Sequence, residues 1–144
     1  MSITDYLTAE HRECDHYYAE AEKAVSNGEW EKAKDMFSNF KKATLLHFKK
    51  EEEILFPEFE TTTGMVAGPT QVMRHEHNQA RELVKKLEEA LEKQDKSAFL
   101  SIGESLMILI QQHNMKEEQI LYPMSDQNLE GNELVKRMKE LDEV

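Results

Sequence analysis

The sequence predicts an all-α protein, an antiparallel up-down-up-down four-helix bundle with a short extra helix at its C-terminal end. Apolar residues recur every three or four positions through nearly the whole chain, which is the spacing of one face of an α-helix. Only five of the 144 residues are glycine and three are proline, so few points can break the helices. The breaks leave four long amphipathic segments with short connections, and short connections make successive helices antiparallel neighbours.

The first predicted hairpin covers residues from about 4 to 60. Its first helix starts at Thr4, which is predicted as the N-cap, and ends near Ser26, where Gly28 follows as a stop signal. Its second helix runs from about Glu29 toward Glu60. The two inward faces contain Leu7, His11, Cys14, Tyr18, Ala21 and Val25, and then Ala33, Phe37, Phe40, Thr44, His47, Glu51, Ile54 and Leu55.

The second predicted hairpin covers residues from about 69 to 125 and follows a linker rich in threonine and glycine. Pro69 suits the first turn of its first helix, which reaches about Gln94. Asp95 or Ser97 can cap its second helix. The two inward faces contain Met73, His77, Ala80, Val84, Leu87 and Leu91, and then Phe99, Ile102, Leu106, Leu109, Ile110, His113, Glu117, Ile120 and Leu121.

A short amphipathic helix is predicted at about residues 132–142, after the turn signal Gly131-Asn132. Leu134, Met138 and Leu141 form its apolar side. No change of composition marks a second domain, so residues 1–144 are predicted to form one domain with a core of useful size.

Composition narrows the classes of function. The net charge of -11 argues against a nucleic-acid partner, because phosphates would repel the chain. Cys14 is the single cysteine, which excludes an intrachain disulfide and a thiolate metal cluster. The sequence has no apolar run long enough to cross a membrane and no basic and apolar leader, so we expect a cytoplasmic protein. No protein partner can be named from the sequence.

The chain repeats a set of metal-binding residue types at a single offset of 66 residues. The matching segments are Glu10-His11 with Glu76-His77, and His47 to Pro57 with His113 to Pro123. Each half therefore carries one lone histidine and one His-x-x-x-Glu motif. A fixed self-matching period marks a repeated supersecondary unit. Here each unit would be a helical hairpin that contributes half of one site.

The four repeated histidines are predicted to lie in one layer of the bundle. Each stands about 17–19 residues from the turn of its own hairpin, or roughly 25–28 Å along the helix axis. Each also lies on the apolar face of its helix. Spacing alone thus brings together the imidazoles of His11, His47, His77 and His113.

Glu51 and Glu117 strengthen the prediction of a metal site. Residues four apart share a helix face, so each carboxylate lies beside its histidine on an otherwise apolar face. A buried, unpaired carboxylate is very costly, and two of them would repel each other. A single His-x-x-x-Glu is more often a surface pair, but two in register favour cations held between the carboxylates. Imidazole and carboxylate donors without thiolate suit iron, manganese or zinc, and the paired arrangement suits a binuclear centre.

These motifs resemble the hemerythrin-like (HHE cation-binding) domain. The resemblance rests on Glu10-His11, His47-Phe-Lys-Lys-Glu51, Gly68-Pro69, Glu76-His77 and His113-x-x-Lys116-Glu117, and it covers about residues 4–125. It implies a four-helix bundle with a non-heme centre of two iron ions. The ligands that it implies are His11, His47, Glu51, His77, His113 and Glu117, with the two glutamates bridging the irons.

Two departures separate this chain from the oxygen-carrying hemerythrins. Those proteins have a further histidine four residues before the third-helix ligand, where this chain has Met73. Their fourth-helix carboxylate comes five residues after its histidine, at the position of Glu118, whereas Glu117 keeps a spacing of four. The resemblance therefore implies a protein that binds, senses or reacts with oxygen, peroxide or nitric oxide rather than a simple oxygen carrier.

Other functions use the same ligands and stay open at this point. One is an enzyme that turns over peroxide or nitric oxide, and another is an iron donor for repair of iron–sulfur centres. A static site, occupied by zinc for example, is a third. A ferritin-like bundle is disfavoured because it needs Glu-x-x-His on two helices, and the chain has only Glu13-x-x-His16.

Several nearby residues have two interpretations. His16 and His75 are expected on the surface, Cys14 as a small buried residue, and Met73 and Leu7 as apolar walls. Tyr18 is expected to pack in the core or to support the site through a hydrogen bond or electron transfer. Asp15 and Arg81 occupy equivalent positions, where either a pair that orients a ligand or a solvated pair is expected. The remaining charged residues of the motifs are expected at the rim of the site: Lys50, Glu52, Lys116 and Glu118.

Overall fold

Two long helical hairpins form an all-α bundle in the computed structural model, which describes residues 1–143. The first hairpin contains α1 (Ile3–Ser26), α2 (Trp30–Lys50), a first π turn (Glu51–Leu55) and α3 (Phe56–Thr63). The second contains α4 (Pro69–Glu92), α5 (Lys96–Lys116), a second π turn (Glu117–Leu121) and α6 (Tyr122–Asn128). α7 (Gly131–Glu140) and a short 3-10 turn (Leu141–Glu143) follow.

The four long helices pack as a ring. α1 contacts α2 and α5, and α4 contacts the same two helices from the other side. Tight turns between Ser26 and Trp30, and between Glu92 and Lys96, make each hairpin antiparallel. The predicted fold class is confirmed. Within residues 1–143, no helix is both long enough and apolar enough to cross a bilayer.

The first helix begins earlier than predicted. Ser2, not Thr4, is its N-cap, and the Ser2 hydroxyl accepts a hydrogen bond from the backbone N–H of Asp5 at 3.0 Å. The carboxylate of Asp126 accepts from the backbone N–H groups of Ile3 and Thr4 at 2.8 and 3.1 Å. Because this distant carboxylate satisfies donors that a helix start leaves unpaired, the helix can include Thr4. The predicted cap was therefore wrong.

The second helix of each hairpin is interrupted by a π turn that the sequence pattern did not predict. Pro57 and Pro123 each follow such a turn by two residues. Proline has no N–H, and its ring crowds the carbonyl four residues earlier, so an ordinary α-helix is unfavourable there. In the wider turn the N–H of Phe56 reaches the carbonyl of Glu51, five residues back, and Tyr122 does the same with Glu117. The helical path then continues to Asn128, beyond the predicted end near residue 125.

The second π turn rotates the residues that follow it. Ile120 was predicted on the inward face but is 54% exposed, whereas Tyr122 is fully buried. A π turn has more residues per turn than an α-helix, so the residue five positions after Glu117 faces inward, and the residue three positions after it does not. The same shift buries Phe56 in the first hairpin, but there Ile54, the counterpart of Ile120, is also buried because α7 packs against this π turn.

Two apolar clusters lie on either side of the predicted metal layer. One, toward the tight turns, includes Phe37, Phe40 and Phe99. The other, toward the opposite end, includes Phe56 and Phe59. α7 covers this second cluster with Leu134, Val135 and Met138, which are all buried. The predicted extra helix is present, although Leu141 lies in the 3-10 turn after it.

Candidate metal centre

The six predicted ligands converge in the middle of the bundle. They come from α1 (His11), α2 (His47), α4 (His77), α5 (His113) and the first residues of the two π turns (Glu51 and Glu117), and all are buried. Donor atoms of Glu51, His77, His113 and Glu117 lie within 4.8 Å of one another, as do those of His11, His47 and Glu117. The shared glutamate joins the two groups into one site.

The contacts inside the site are short. His77 Nε2 lies 3.0 Å from Glu51 Oε1, and His11 Nε2 lies 3.1 Å from Glu117 Oε1. His47 Nε2 lies 3.4 Å from Glu51 Oε1 within its own helix. His113 Nε2 lies 3.2 Å from Glu117 Oε1, so every imidazole presents the same nitrogen, Nε2, to the pair of carboxylates.

The other ring nitrogen of each histidine contacts a second carboxylate. The Nδ1 distances are 2.7 Å from His11 to Glu118, 2.9 Å from His47 to Glu10, 2.7 Å from His77 to Glu52 and 2.9 Å from His113 to Glu76. An ionised carboxylate only accepts, so Nδ1–H is the donor in these contacts. When the imidazole is neutral, this leaves the Nε2 lone pair available inside the site, which is the usual arrangement of a metal-binding histidine.

Glu52 and Glu118 lie at the partly exposed edge of the site, as expected, but their contacts with the histidines were not predicted. Each holds a histidine of the other hairpin in position: Glu52 contacts His77, and Glu118 contacts His11. The 66-residue repeat contained the signal, since Glu52 and Glu118 match each other as Glu10 and Glu76 do. Spacing within one helix could not show which histidine each carboxylate would reach.

Lys50 was also expected at the rim, but it is fully buried. Its ammonium group donates to the Glu10 carboxylate, to Tyr6 Oη at 2.7 Å and to Asp142 Oδ1 at 2.8 Å. Its counterpart Lys116 donates to Glu76 at 2.6 Å and is 47% exposed. The difference arises because the chain after α7 covers only the first hairpin's lysine.

Arg81 does not pair with Asp15. Its guanidinium donates to both Glu52 oxygens, at 2.7 and 3.0 Å, and so fixes the carboxylate that holds His77. Partial burial opposes ionisation of Glu52, but the hydrogen bonds and charges of His77 and Arg81 outweigh it and lower its pKa to about 2. Around Asp15, burial and the nearby Glu118 carboxylate raise the pKa. Arg81 and Asp15 occupy equivalent positions in the two halves, but Arg81 places a positive charge beside Glu52 and Asp15 places a carboxyl group near Glu118.

The pKa values of the central groups show strong mutual dependence. Burial and the Glu117 charge raise the pKa of Glu51, because a second negative charge is unfavourable there. Burial also opposes ionisation of Glu117, but His113 and further hydrogen bonds bring its pKa well below the usual range. Burial disfavours the charged form of His113, yet Glu117 and Glu51 outweigh it and raise its pKa to about 9. Without a metal, these groups need protons to balance the buried negative charge.

The residues present fit a metal ion. Among the described residues, His113 Nε2 and Glu117 Oε2 are buried and have no hydrogen-bond partner, although His113 Nε2 is 3.2 Å from the other Glu117 oxygen. A buried polar group without a partner costs about 1–3 kcal/mol, and a cation would satisfy both atoms. Four imidazole nitrogens with two carboxylates suit iron, manganese or zinc. Cys14 lies outside this donor set, and burial raises its thiol pKa to about 12.

Tyr122 also belongs to the site, which the sequence analysis missed. Its Oη lies 2.7 Å from Glu51 Oε2, 2.9 Å from Glu117 Oε1 and 3.1 Å from His11 Nε2. A spacing of five residues from Glu117 gave no reason to expect this in a regular α-helix. The only signal was Pro123 directly after the tyrosine, because a proline inside a helical pattern distorts the turn before it.

A small cavity adjoins one side of the site. It is lined by His11, His47, Cys14, Phe48 and other residues, and its volume is about 20 Å³. A water molecule needs roughly 10–15 Å³ of such space, so the cavity has room for one small molecule. Its walls are largely apolar.

The residues with two interpretations have defined positions. His16 and His75 are exposed, and Met73 and Leu7 are buried in the apolar cluster near α7. Tyr18 packs between Phe40 and Phe99, with ring centroids 5.3 and 6.4 Å away, and its hydroxyl has no partner in the described residues. These contacts favour core packing for Tyr18.

Comparison with known proteins agrees with this geometry. The model of the hemerythrin HHE cation binding domain matches residues 2–125, which include both hairpins and all six converging ligands. Searches of curated proteins and of solved structures gave no match. Because the family match spans most of the chain, the chain belongs to the hemerythrin HHE cation-binding domain family.

Proposed function

We propose that the protein holds two non-heme iron ions in this centre and uses them to bind, sense or react with oxygen or a related small ligand. The main support is the orientation of the four histidines, each with Nδ1 held by a carboxylate and Nε2 directed to the central pair of glutamates. In this proposal the ligands are His11 and His47 for one ion, His77 and His113 for the other, and Glu51 and Glu117 for both.

The chain's own residues would keep the site dry and ordered. The Phe48 ring stacks on the His77 ring with centroids 3.9 Å apart, and the Phe56 ring centroid lies 5.6 Å from that of His77. Arg81 and Glu52 fix the same imidazole from outside. When bound, ferrous iron would supply electrons to a small oxidant, and these residues would supply a rigid, water-poor surrounding for that chemistry.

The size of the cavity supports a ligand of two or three non-hydrogen atoms. Its volume of about 20 Å³ leaves no room for an organic substrate, and it lies against His11 and His47. Apolar Phe40, Phe48 and Ile110 form much of its wall. Uncharged diatomic molecules and hydrogen peroxide are compatible with such a space, whereas a bulky metabolite is not.

Absorption spectroscopy of the iron-loaded protein tests this function. Protein loaded with ferrous iron under anaerobic conditions is exposed separately to oxygen, peroxide and nitric oxide. We expect a spectral change with at least one ligand, and repeated additions separate stable binding from turnover. Transfer of iron to a chelator or to an iron–sulfur protein, with no change on ligand addition, would indicate an iron donor.

A pair of histidine variants provides the control. His77→Ala removes a proposed ligand, whereas His75→Ala removes an exposed histidine two residues away on the same helix. We expect His75→Ala to match the unmodified protein and His77→Ala to lose iron and the spectral change. Circular dichroism checks that both variants stay helical. Equal behaviour of the two variants, or no response to any ligand, would contradict the proposed function.

A further inference from the structure

We propose that Tyr122 is a direct ligand of one metal ion, so that the two ions have different coordination. The inference rests on the proposed di-iron function and concerns the ion between His11 and His47. It adds a seventh protein ligand to the six that the repeat indicates.

The position of the tyrosine oxygen fits that of a ligand atom. Oη lies 2.7 Å from Glu51 Oε2, 2.9 Å from Glu117 Oε1, 3.1 Å from His11 Nε2 and 3.4 Å from His47 Nε2. Ligand atoms about 2.1 Å from one ion and at right angles to each other are separated by about 3 Å. The four observed distances group around this value, which is the spacing expected if one ion contacts Oη together with these neighbours.

The phenol of Tyr122 lies among more ligand atoms than its single O–H proton can bridge. A phenol has one proton to donate, yet Oη faces two carboxylates and two imidazole nitrogens. Tyr122 is fully buried, so its oxygen is not solvated by bulk water in the folded protein. When the metal–oxygen bond forms, the O–H bond breaks, the oxygen keeps the electron pair, and the proton passes to solvent water. The cation then satisfies all the acceptors at once.

The first half of the chain provides an internal comparison. Phe56 stands 66 residues before Tyr122 and follows Glu51 by five residues, as Tyr122 follows Glu117. The two rings have matching contacts, since Phe56 lies 5.6 Å from the His77 ring and Tyr122 lies 5.6 Å from the His11 ring. Phenylalanine has no oxygen to offer. The ion between His77 and His113 therefore has one protein ligand fewer than its neighbour.

Tyrosine coordination leaves the small cavity accessible to the same ion. The cavity is lined by Cys14 and Thr44, which lie three residues from His11 and His47 toward the tight turn of the hairpin. Tyr122 comes from α6, beyond the carboxylates at the opposite end. The tyrosine and a small ligand can thus approach from opposite sides.

The test uses the absorption and resonance Raman spectra of the oxidised, iron-loaded protein. A phenolate bound to ferric iron gives a visible charge-transfer band and enhanced phenolate vibrations. We expect both in the unmodified protein and their loss in Tyr122→Phe, which reproduces the Phe56 side of the site. Tyr17→Phe is the control, because Tyr17 lies on α1 and packs against the apolar cluster toward the tight turns, so loss of its hydroxyl should leave both signals unchanged.

Metal analysis separates failure of Tyr122 coordination from failure of iron binding itself. If Tyr122→Phe binds iron like the unmodified protein and keeps the band, or if the unmodified protein shows no phenolate vibrations, Tyr122 is not a ligand. If Tyr122→Phe loses iron, phenolate vibrations in the unmodified protein still support the proposal. Failure of the unmodified protein to bind iron would contradict the di-iron function itself and, with it, this inference.

Discussion

At the scale of single residues, the site depends on carboxylates that never need to touch a metal. Glu10, Glu52, Glu76 and Glu118 each fix one imidazole by its Nδ1 atom. Each is in turn surrounded differently, by Lys50, Arg81, Lys116 or the carboxylate of Asp15. Each histidine thus has the same kind of carboxylate partner, but the charged groups around these carboxylates differ.

Removing one such carboxylate should weaken metal binding without removing a ligand. We expect Glu76→Gln to lower metal affinity by about 10–100-fold, the usual cost of losing a group that orients a metal-binding histidine. The reason is that His113 loses its charged acceptor. Glu82→Gln, an exposed glutamate on the same helix, is the matched control. Competition with a metal chelator measures both affinities, and equal values would show that Glu76 has no such role.

Met73 should limit reversible oxygen binding. It is buried beside the site's apolar cluster, at the position where the oxygen carriers of the family have an additional histidine. We expect the unmodified protein to lose its absorption response within a few cycles of oxygenation and degassing, and Met73→His to last longer. Val72→His, which places an imidazole on the exposed face, should behave like the unmodified protein. Many clean cycles by the unmodified protein would contradict this prediction.

The stability of the metal-free protein should depend on pH through the buried histidines. Burial disfavours their charged forms, but the neighbouring carboxylates raise the pKa values of His11 and His77 and bring that of His113 to about 9. A pKa raised on folding stabilises the native state fully below the unfolded value of about 6.5. This contribution is lost as the pH rises through the folded value.

Urea unfolding at pH 6.5 and pH 9 measures this effect. The metal-free protein should lose stability over that interval, whereas the zinc-loaded protein should lose less, because its imidazoles are already unprotonated at Nε2. His75→Ala should keep the same difference, since that side chain is exposed. If metal-free and zinc-loaded protein lose the same unfolding free energy between pH 6.5 and pH 9, the imidazoles do not bind protons as the structure indicates.

At the scale of elements, regular helices could be predicted from the sequence and the π turns could not. The apolar spacing and the turn residues Gly28 and Pro69 identified the four long helices. A π turn has no comparable repeat, because only five residues are involved and proline is compatible with several distortions. Tyr122 was missed for this reason, since its inward position depends on the turn before it.

The contact between α1 and α5 depends on a glycine. A Cβ at Gly103 would lie 1.7 Å from the hydroxyl of Tyr18 and 3.0 Å from its ring carbon Cζ. Both residues are buried, so the tyrosine has little space to move. Helix propensity favours alanine over glycine by about 1 kcal/mol, but overpacking of a core costs typically 1–3 kcal/mol.

We expect Gly103→Ala to destabilise the protein, and Tyr18→Phe to reduce this cost by removing the overlapping hydroxyl. Equilibrium urea unfolding of the two single variants and the double variant gives the coupling between the two positions. We expect Gly103→Ala to lower the free energy of unfolding less in the Tyr18→Phe background than in the unmodified protein. If Gly103→Ala lowers the free energy of unfolding equally with tyrosine or phenylalanine at position 18, the Tyr18 hydroxyl is not the source of the strain.

At the scale of the whole molecule, an approximate two-fold repeat builds a site with unequal halves. The repeated histidines and glutamates could be predicted as one layer because both hairpins have the same length. The difference between the two halves could not be predicted, because it depends on side chains that come into contact only in the folded protein. Tyr122 faces the site opposite Phe56, and the segment after α7 buries Lys50 but not Lys116.

Metal stoichiometry tests most directly whether these two halves form one binuclear centre. Protein is loaded with ferrous iron under anaerobic conditions, freed of unbound metal, and analysed for iron per chain. Six converging ligands in two groups that share Glu117 predict about two ions per chain, as in sites where paired metals share bridging groups. A firm value of one ion per chain, or none above background, would contradict the binuclear centre.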